Sequence, residues 1–193
     1  MRAAGDYSIG SSCEFADRIL ALLTAFLYAL VYTPLKRITW LNTPVGAIPG
    51  ALPILGGWSA SAGGLDAGAW ILFGILFLWQ HPHFYSIAWM YREDYARGGF
   101  KMLPVIDPDG VRTFRQIIGF TLALILVSLL PVVYQNAGIQ YTVAALILGA
   151  YFMHAGVRLF RSHSVQDAKK LLRVSVVYLP LLLVMIVIDR GIV

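Results

Sequence analysis

The chain has 193 residues, of which 59% are hydrophobic and 13% charged, with a formal net charge of +5 and a mean hydropathy of +0.72. Soluble domains hold roughly 45–50% apolar and about 25% charged residues, so this composition excludes an ordinary soluble domain and indicates an integral membrane protein. An excess of positive charge would suggest nucleic acid in a soluble chain, but here it lies between apolar segments, where topology explains it and nucleic acid is not expected.

Residues 1–15 read as a polar amino-terminal segment and 16–193 as one membrane-embedded, all-α domain. A helix needs about 20 apolar residues to cross roughly 30 Å of hydrocarbon. Six segments approach that length: Ala16 to Tyr32, Thr43 to Ala62, Ala67 to Trp89, Phe114 to Tyr134, Ile139 to Phe160 and Leu171 to Ile188. A bundle of about six transmembrane helices is expected.

Lys36 and Arg37 follow the first segment, Arg92 to Arg115 the third and Arg158 to Arg173 the fifth, whereas the connections at 61–66 and 135–140 carry no Lys or Arg. Six alternating crossings put every basic loop on one face, which the positive-inside rule assigns to the cytoplasm or the mitochondrial matrix. The first segment then begins on the opposite face. Residues 1–17 carry Arg2 but no charged-then-apolar export signal, so the chain is expected to lack something upstream. The single cysteine, Cys13, excludes an internal disulfide and a Cys-based metal cluster within the chain.

The second segment contains Pro44, Gly46, Pro49, Gly50, Pro53, Gly56 and Gly57. Such breaks survive at membrane depth only where neighbouring groups satisfy the backbone, so this segment belongs inside the bundle, as a packing helix or as part of a site. In the third, Pro82 removes a donor and is expected to break the helix. His81 and His83, two apart, would point to different faces of a regular helix. Each is explained either by a hydrogen bond to a neighbour or by function.

The loop Tyr91 to Arg115 mixes Arg92, Arg97, Lys101, Arg112 and Arg115 with Glu93, Asp94, Asp107 and Asp109. Carboxylates hold Mg²⁺ while Arg and Lys neutralise phosphate oxygens, so the mixture suits a diphosphate–Mg²⁺ complex; a solvated, topology-setting loop is the plain alternative. Asp94 and Arg97 share a face if that stretch is helical. Gly98-Gly99 permits unusual backbone angles, and Asp107-Pro108-Asp109-Gly110 reads as a turn. Lys36 and Arg37 complete a phosphate clamp or serve as orientation anchors. His154 and Asp189 are read as structural.

The ordered set Tyr32-Thr33-Pro34-Leu35-Lys36-Arg37, Asn42, Gly46 with Pro49, Pro53 and Gly57-Trp58, Trp79 with Pro82-His83-Phe84, Arg92-Glu93-Asp94-Tyr95 with Gly98-Gly99, and Met102-Leu103-Pro104-Val105 resembles the protohaem IX farnesyltransferase (haem O synthase) family of UbiA-type intramembrane prenyltransferases. The resemblance runs from about Ile19 to the carboxyl end, including Tyr178-Leu179-Pro180. It implies transfer of the farnesyl group of farnesyl diphosphate to a vinyl group of haem B, in a bacterial cytoplasmic or mitochondrial inner membrane. It makes Asp94 the Mg²⁺–diphosphate residue, Lys36, Arg37, Arg92 and Arg97 its charge partners, Asn42 and Tyr95 further substrate-binding residues, and His83 a catalytic residue facing haem. Trp79, Phe84, Trp89 and Tyr95 become candidate walls of the reaction chamber.

The family's first metal motif, Asn-x-x-x-Asp-x-x-x-Asp, is absent from this chain. The resemblance places it upstream in a nine-helix bundle of which this chain begins at the fourth helix, so a second polypeptide supplying the missing helices is a possible partner. Two other functions stay open: a non-catalytic membrane haem-binding or assembly protein, and a UbiA-type prenyltransferase acting on a quinone precursor.

Overall fold

A computed structural model describes residues 18–134 and 137–190. The expected 1–15 segment, Cys13 and Asn136 lie outside the described residues. Every regular element among the described residues is helical. Helix α1 spans Arg18–Ile38, α2 Asn42–Ala62, α3 Ala67–Met90, the short α4 Arg92–Arg97 and the single turn α5 Leu103–Ile106. Then come α6, Val111–Tyr134, α7, Ile139–Ser162, and α8, Val165–Arg190.

The six long helices coincide with the six apolar segments. Four of them, α1, α6, α7 and α8, are long and apolar enough to cross a membrane. Helices α2 and α3, of 21 and 24 residues, match them in length but not in apolarity, because α2 is diluted by Gly and Pro and α3 by Gln80, His81 and His83. The expected six crossings are therefore met in helix number and length, and in apolarity by four.

Helix α3 is the hub, packing against α2, α6 and α8, while α7 closes the bundle against α6 and α8. The main core joins Tyr85 and Trp89 of α3, Phe114, Ile117 and Leu124 of α6, Tyr141 and Phe152 of α7, and Leu171 and Tyr178 of α8. Polar atoms in it are paired across helices: Tyr141 donates to the Ser128 carbonyl at 2.7 Å, and the Tyr178 hydroxyl lies 2.9 Å from Ser128 Oγ. Asp189, read as structural, accepts from the Gly138 amide and ties the end of α8 to the start of α7.

Two proline effects shape the elements. Pro82 does not end the third segment: α3 runs through it to Met90. The expected break is absent because Pro82 is buried in the helix that neighbours enclose, where packing stabilises a helix that has lost one bond. In α1 the residues Leu27–Tyr32 form a π-helix just ahead of Pro34, which cannot donate to the Leu30 carbonyl. The wider turn brings Tyr28 against Tyr32, with centroids 5.2 Å apart and planes tilted by 39°, and Thr33 Oγ1 donates back to the Tyr28 carbonyl at 2.9 Å.

The basic connections gather at one end of the bundle. The Lys101 amide donates to the Lys36 carbonyl at 2.9 Å, and Trp89 Nε1 donates to the His163 carbonyl at 3.2 Å, so the loops after α1, α3 and α7 are neighbours. Gly63, at the end of α2, and Gly138, before α7, lie one helix length away. With Cys13 replaced by Ser, single cysteines at Ala96 and Ser164 should label with an impermeant maleimide from the same side of a sealed vesicle, and one at Gly63 from the other. Labelling of Ala96 and Gly63 from a common side would contradict this arrangement.

Candidate active site

At 100° per residue, the polar run of α3 addresses three neighbours. Gln80 and Phe84 turn towards α1 and α2, His81 and Tyr85 towards α6, and Trp79 and His83 towards α8. Gln80 Nε2 donates to the Ala47 carbonyl of α2 at 3.2 Å. His81 is fully buried; its Nδ1 donates to the Phe77 carbonyl at 2.8 Å and its ring stacks on Phe120 at 3.7 Å. His83 Nδ1 lies 2.8 Å from Ser175 Oγ. The two histidines thus occupy different faces, as their spacing requires, and share no ligand.

On the α1–α2 side of Gln80 lies a cavity of about 270 Å³, whose walls include Tyr28, Tyr32, Lys36, Thr43, Gln80, Phe84, Tyr95 and Phe100. Gly46 and Gly50, four apart on α2, make it possible. A Cβ at Gly46 would stand 2.5 Å from the Tyr32 ring, and one at Gly50 2.2 Å from Gln80 Oε1. Small residues here let the aromatic and amide walls approach the α2 backbone.

Lys36 marks the polar end of this cavity. Its ammonium lies 5.2 Å from the Phe100 ring centroid and the Arg37 guanidinium 5.7 Å from the same ring, so one aromatic ring contacts both cations. Tyr28 also borders a second, apolar groove of about 490 Å³ that follows α1 and α2 past Leu20, Thr24, Leu52, Pro53 and Gly56. Roughly 24 Å of helix separates Lys36 from Leu20 at 1.5 Å per residue. The two spaces share Tyr28 as a common wall: cations at one end, hydrocarbon along the rest.

Some predicted site residues meet here and others do not. Lys36 and Tyr95 line the cavity, with Arg37 beside it. Asn42 is fully buried: its Nδ2 donates to the Thr39 carbonyl at 2.7 Å and to the Lys101 carbonyl at 3.0 Å, while Oδ1 accepts from Thr43. Asn42 clamps the cavity-closing 98–102 loop, with both of its donor hydrogens occupied. Asp94 is exposed and paired with Arg97 on the single face that α4 gives them. Arg92 lies over Trp89, 4.5 Å from its ring, and Trp89 is buried on Phe114 as core. Asp107 accepts from the Thr113 amide and hydroxyl at 2.8 and 2.9 Å, closing the expected turn.

Among the described residues, no group of three His, Cys, Asp or Glu converges on a metal position. Mg²⁺ commonly takes one or two carboxylates and completes its shell with substrate phosphate oxygens and water. Asp94, an exposed hard-oxygen donor next to the cavity-lining Tyr95, fits as one such ligand. Sequence reasoning missed Gln80, Tyr28, Phe100 and Ser175. A lone Gln inside an apolar run was the available signal for the first.

The sequence pattern of the UbiA prenyltransferase family matches residues 17–179. The chain belongs to that family. The protoheme IX farnesyltransferase of Solibacter usitatus is 52% identical over 171 residues, 89% of this chain and 59% of that protein. That of Salinibacter ruber is 52% identical over 162 residues, 84% and 57% of the two chains. The human mitochondrial protoheme IX farnesyltransferase is 42% identical over 166 residues, 86% of this chain and 37% of that one. The chain therefore spans less than two thirds of the length of these relatives. A solved structure, from work on the biosynthesis of digeranylgeranylglyceryl phosphate synthase in membranes, superposes with a TM-score of 0.75 over 90% of this chain and 61% of its own, at 19% identity. That likeness shows the fold.

As a family member the protein is an integral membrane protein of prenyltransferase type, and the cavity wall depends on the Asn42 clamp. Asn42→Ala leaves the Lys101 carbonyl without its side-chain donor and the Thr39 carbonyl with only the longer bond from the residue-42 amide, and should cost about 1–3 kcal/mol of stability. Hydrogen exchange at the Lys101 amide should accelerate, read by mass spectrometry, while the amides of α7 keep their protection.

Proposed function

We propose that this chain carries part of a farnesyl transfer site, in which the farnesyl group of farnesyl diphosphate joins a vinyl group of haem B to give haem O. The observation that carries the donor side is the cavity with Lys36 and Arg37 at one end and an apolar groove at the other, because a prenyl diphosphate is an anion attached to a hydrocarbon chain. The acceptor follows from the relatives being protoheme IX farnesyltransferases, and His83 is the group offered to it. We place the basic loops on the cytoplasmic or matrix side of a bacterial cytoplasmic or mitochondrial inner membrane.

In this reading Lys36 and Arg37 bind the diphosphate oxygens, and Arg92 and Arg97 extend the positive field around the mouth. Asp94, paired with Arg97 in this structure, would hold Mg²⁺, and the ion would neutralise the departing diphosphate. The allylic C–O bond breaks with its electrons leaving on the diphosphate. The faces of Tyr28, Tyr32, Phe84 and Tyr95 stabilise the allylic cation and restrict water. The vinyl group attacks that cation, and water adds to the resulting benzylic-type cation and loses a proton, completing the hydroxyethylfarnesyl side chain.

With the chain in lipid nanodiscs, Lys36→Gln should weaken competition by farnesyl diphosphate for a radiolabelled prenyl diphosphate about 10-fold or more, equivalent to about 1.4 kcal/mol. Asp94→Asn should remove the Mg²⁺ dependence of that binding. No atom lies within 4 Å of a Cβ built on Gly56, so Gly56→Trp fills the groove and should weaken farnesyl diphosphate far more than dimethylallyl diphosphate. Equal effects on the long and short chains would remove the groove from the donor site. Formation of hydroxyethylfarnesyl haem from haem B, with no prenylation of an aromatic acid, is the product test by mass spectrometry.

A further inference from the structure

Ser175 of α8 is fully buried, and its hydroxyl faces two groups. The Leu172 carbonyl, which can only accept, lies 2.7 Å from Oγ, and His83 Nδ1 lies 2.8 Å from it. With the hydroxyl hydrogen on that carbonyl, Oγ accepts from Nδ1–H, and Nε2 carries the lone pair.

The same residue sets the plane of the ring. The Ser175 carbonyl accepts from Trp79 Nε1 at 2.7 Å, and the Trp79 indole stacks on His83 with centroids 4.7 Å apart and planes 24° apart. Phe84 meets the imidazole edge-on at 5.3 Å and 77°. His83 is half-buried, whereas the bare Nε2 of His81 is enclosed in the core without a partner. A bare Nε2 combined with an Nδ1–H held by an outer acceptor is the arrangement of metal-ligating histidines, in which the outer contact fixes tautomer and orientation.

We infer that Ser175 is a positioning residue of the acceptor site, holding His83 in the Nδ1–H tautomer so that Nε2 is presented as an axial ligand to the iron of the tetrapyrrole acceptor. This rests on the acceptor-side reading of His83 proposed above.

The test has two readouts on the full chain in nanodiscs. In protein labelled with ¹⁵N-histidine, with the four histidines assigned by single replacement, wild-type His83 should show a protonated Nδ1 and an unprotonated Nε2 without any haem. Ser175→Ala should shift it to a tautomer mixture, and Ser175→Thr should preserve it. Ser175→Cys fills the same space with a poorer acceptor and should follow the alanine variant, which separates the hydrogen bond from the volume. In titrations with haem B followed by Soret absorption and electron paramagnetic resonance, the imidazole-ligated spectrum should vanish in His83→Ala. Affinity should fall about 10-fold or more in Ser175→Ala and stay within a few-fold of wild type in Ser175→Thr. Nε2 protonation in the wild type, or an unchanged tautomer and haem affinity in Ser175→Ala, overturns the role of Ser175. A tautomer pattern as described with haem binding indifferent to His83→Ala overturns iron ligation and the acceptor-side reading of His83, while leaving the Ser175–His83 hydrogen bond established.

Discussion

A polar group at membrane depth has no water to bond to, so the polar side chains of α3 are drawn to partners within the protein, with His81 Nε2 and the Tyr85 hydroxyl left over. That constraint organises the bundle. Gln80 binds the α2 backbone, His81 its own helix, and Trp79 and His83 the single residue Ser175. Helix α3, which carries Gln80, His81 and His83 within its apolar run, packs against three long helices, and its three polar directions address α2, α6 and α8.

The cavity follows from the same arrangement. Gln80 reaches α2 only because Gly50 offers no Cβ, and Tyr32 lies against α2 only because Gly46 offers none. The glycines that exclude α2 from the role of a plain lipid-facing helix are the ones that let an aromatic, amide-floored space form beside it. The π-helix ahead of Pro34 then turns Tyr28 and Tyr32 together towards that space. Packing and cavity are one feature here, because the same glycines of α2 serve both.

Electrostatics at the basic end divides into two sets. Lys36 and Arg37 both contact the Phe100 ring, with Lys36 lining the cavity, whereas Asp94 and Arg97 neutralise each other in exposed solvent, where an ion pair contributes little to stability. A weak, exposed pair is easily exchanged, which suits residues that bind an incoming diphosphate and its cation. Asn42 belongs to a third class: a buried amide whose hydrogen bonds hold the loop carrying Phe100 and Lys101 over the cavity.

Hydrophobic run lengths and the spacing of Lys and Arg determined the six long helices and the gathering of the basic loops at one end, because both depend on local composition along the chain. The separation of His81 from His83 was equally legible, since it needs only helical periodicity. The fate of Pro82 was not: whether a proline ends a helix depends on what encloses it, and enclosure is a property of the packed bundle. The hydrogen bonds of Asn42 to two backbone carbonyls, one of them 59 residues away at Lys101, were not legible either. Ser175 carried no signal of its own, being one serine in an apolar helix 92 residues from His83. Its role exists only because α8 packs on α3, and a hydrogen bond between helices distant in sequence is decided by tertiary packing alone.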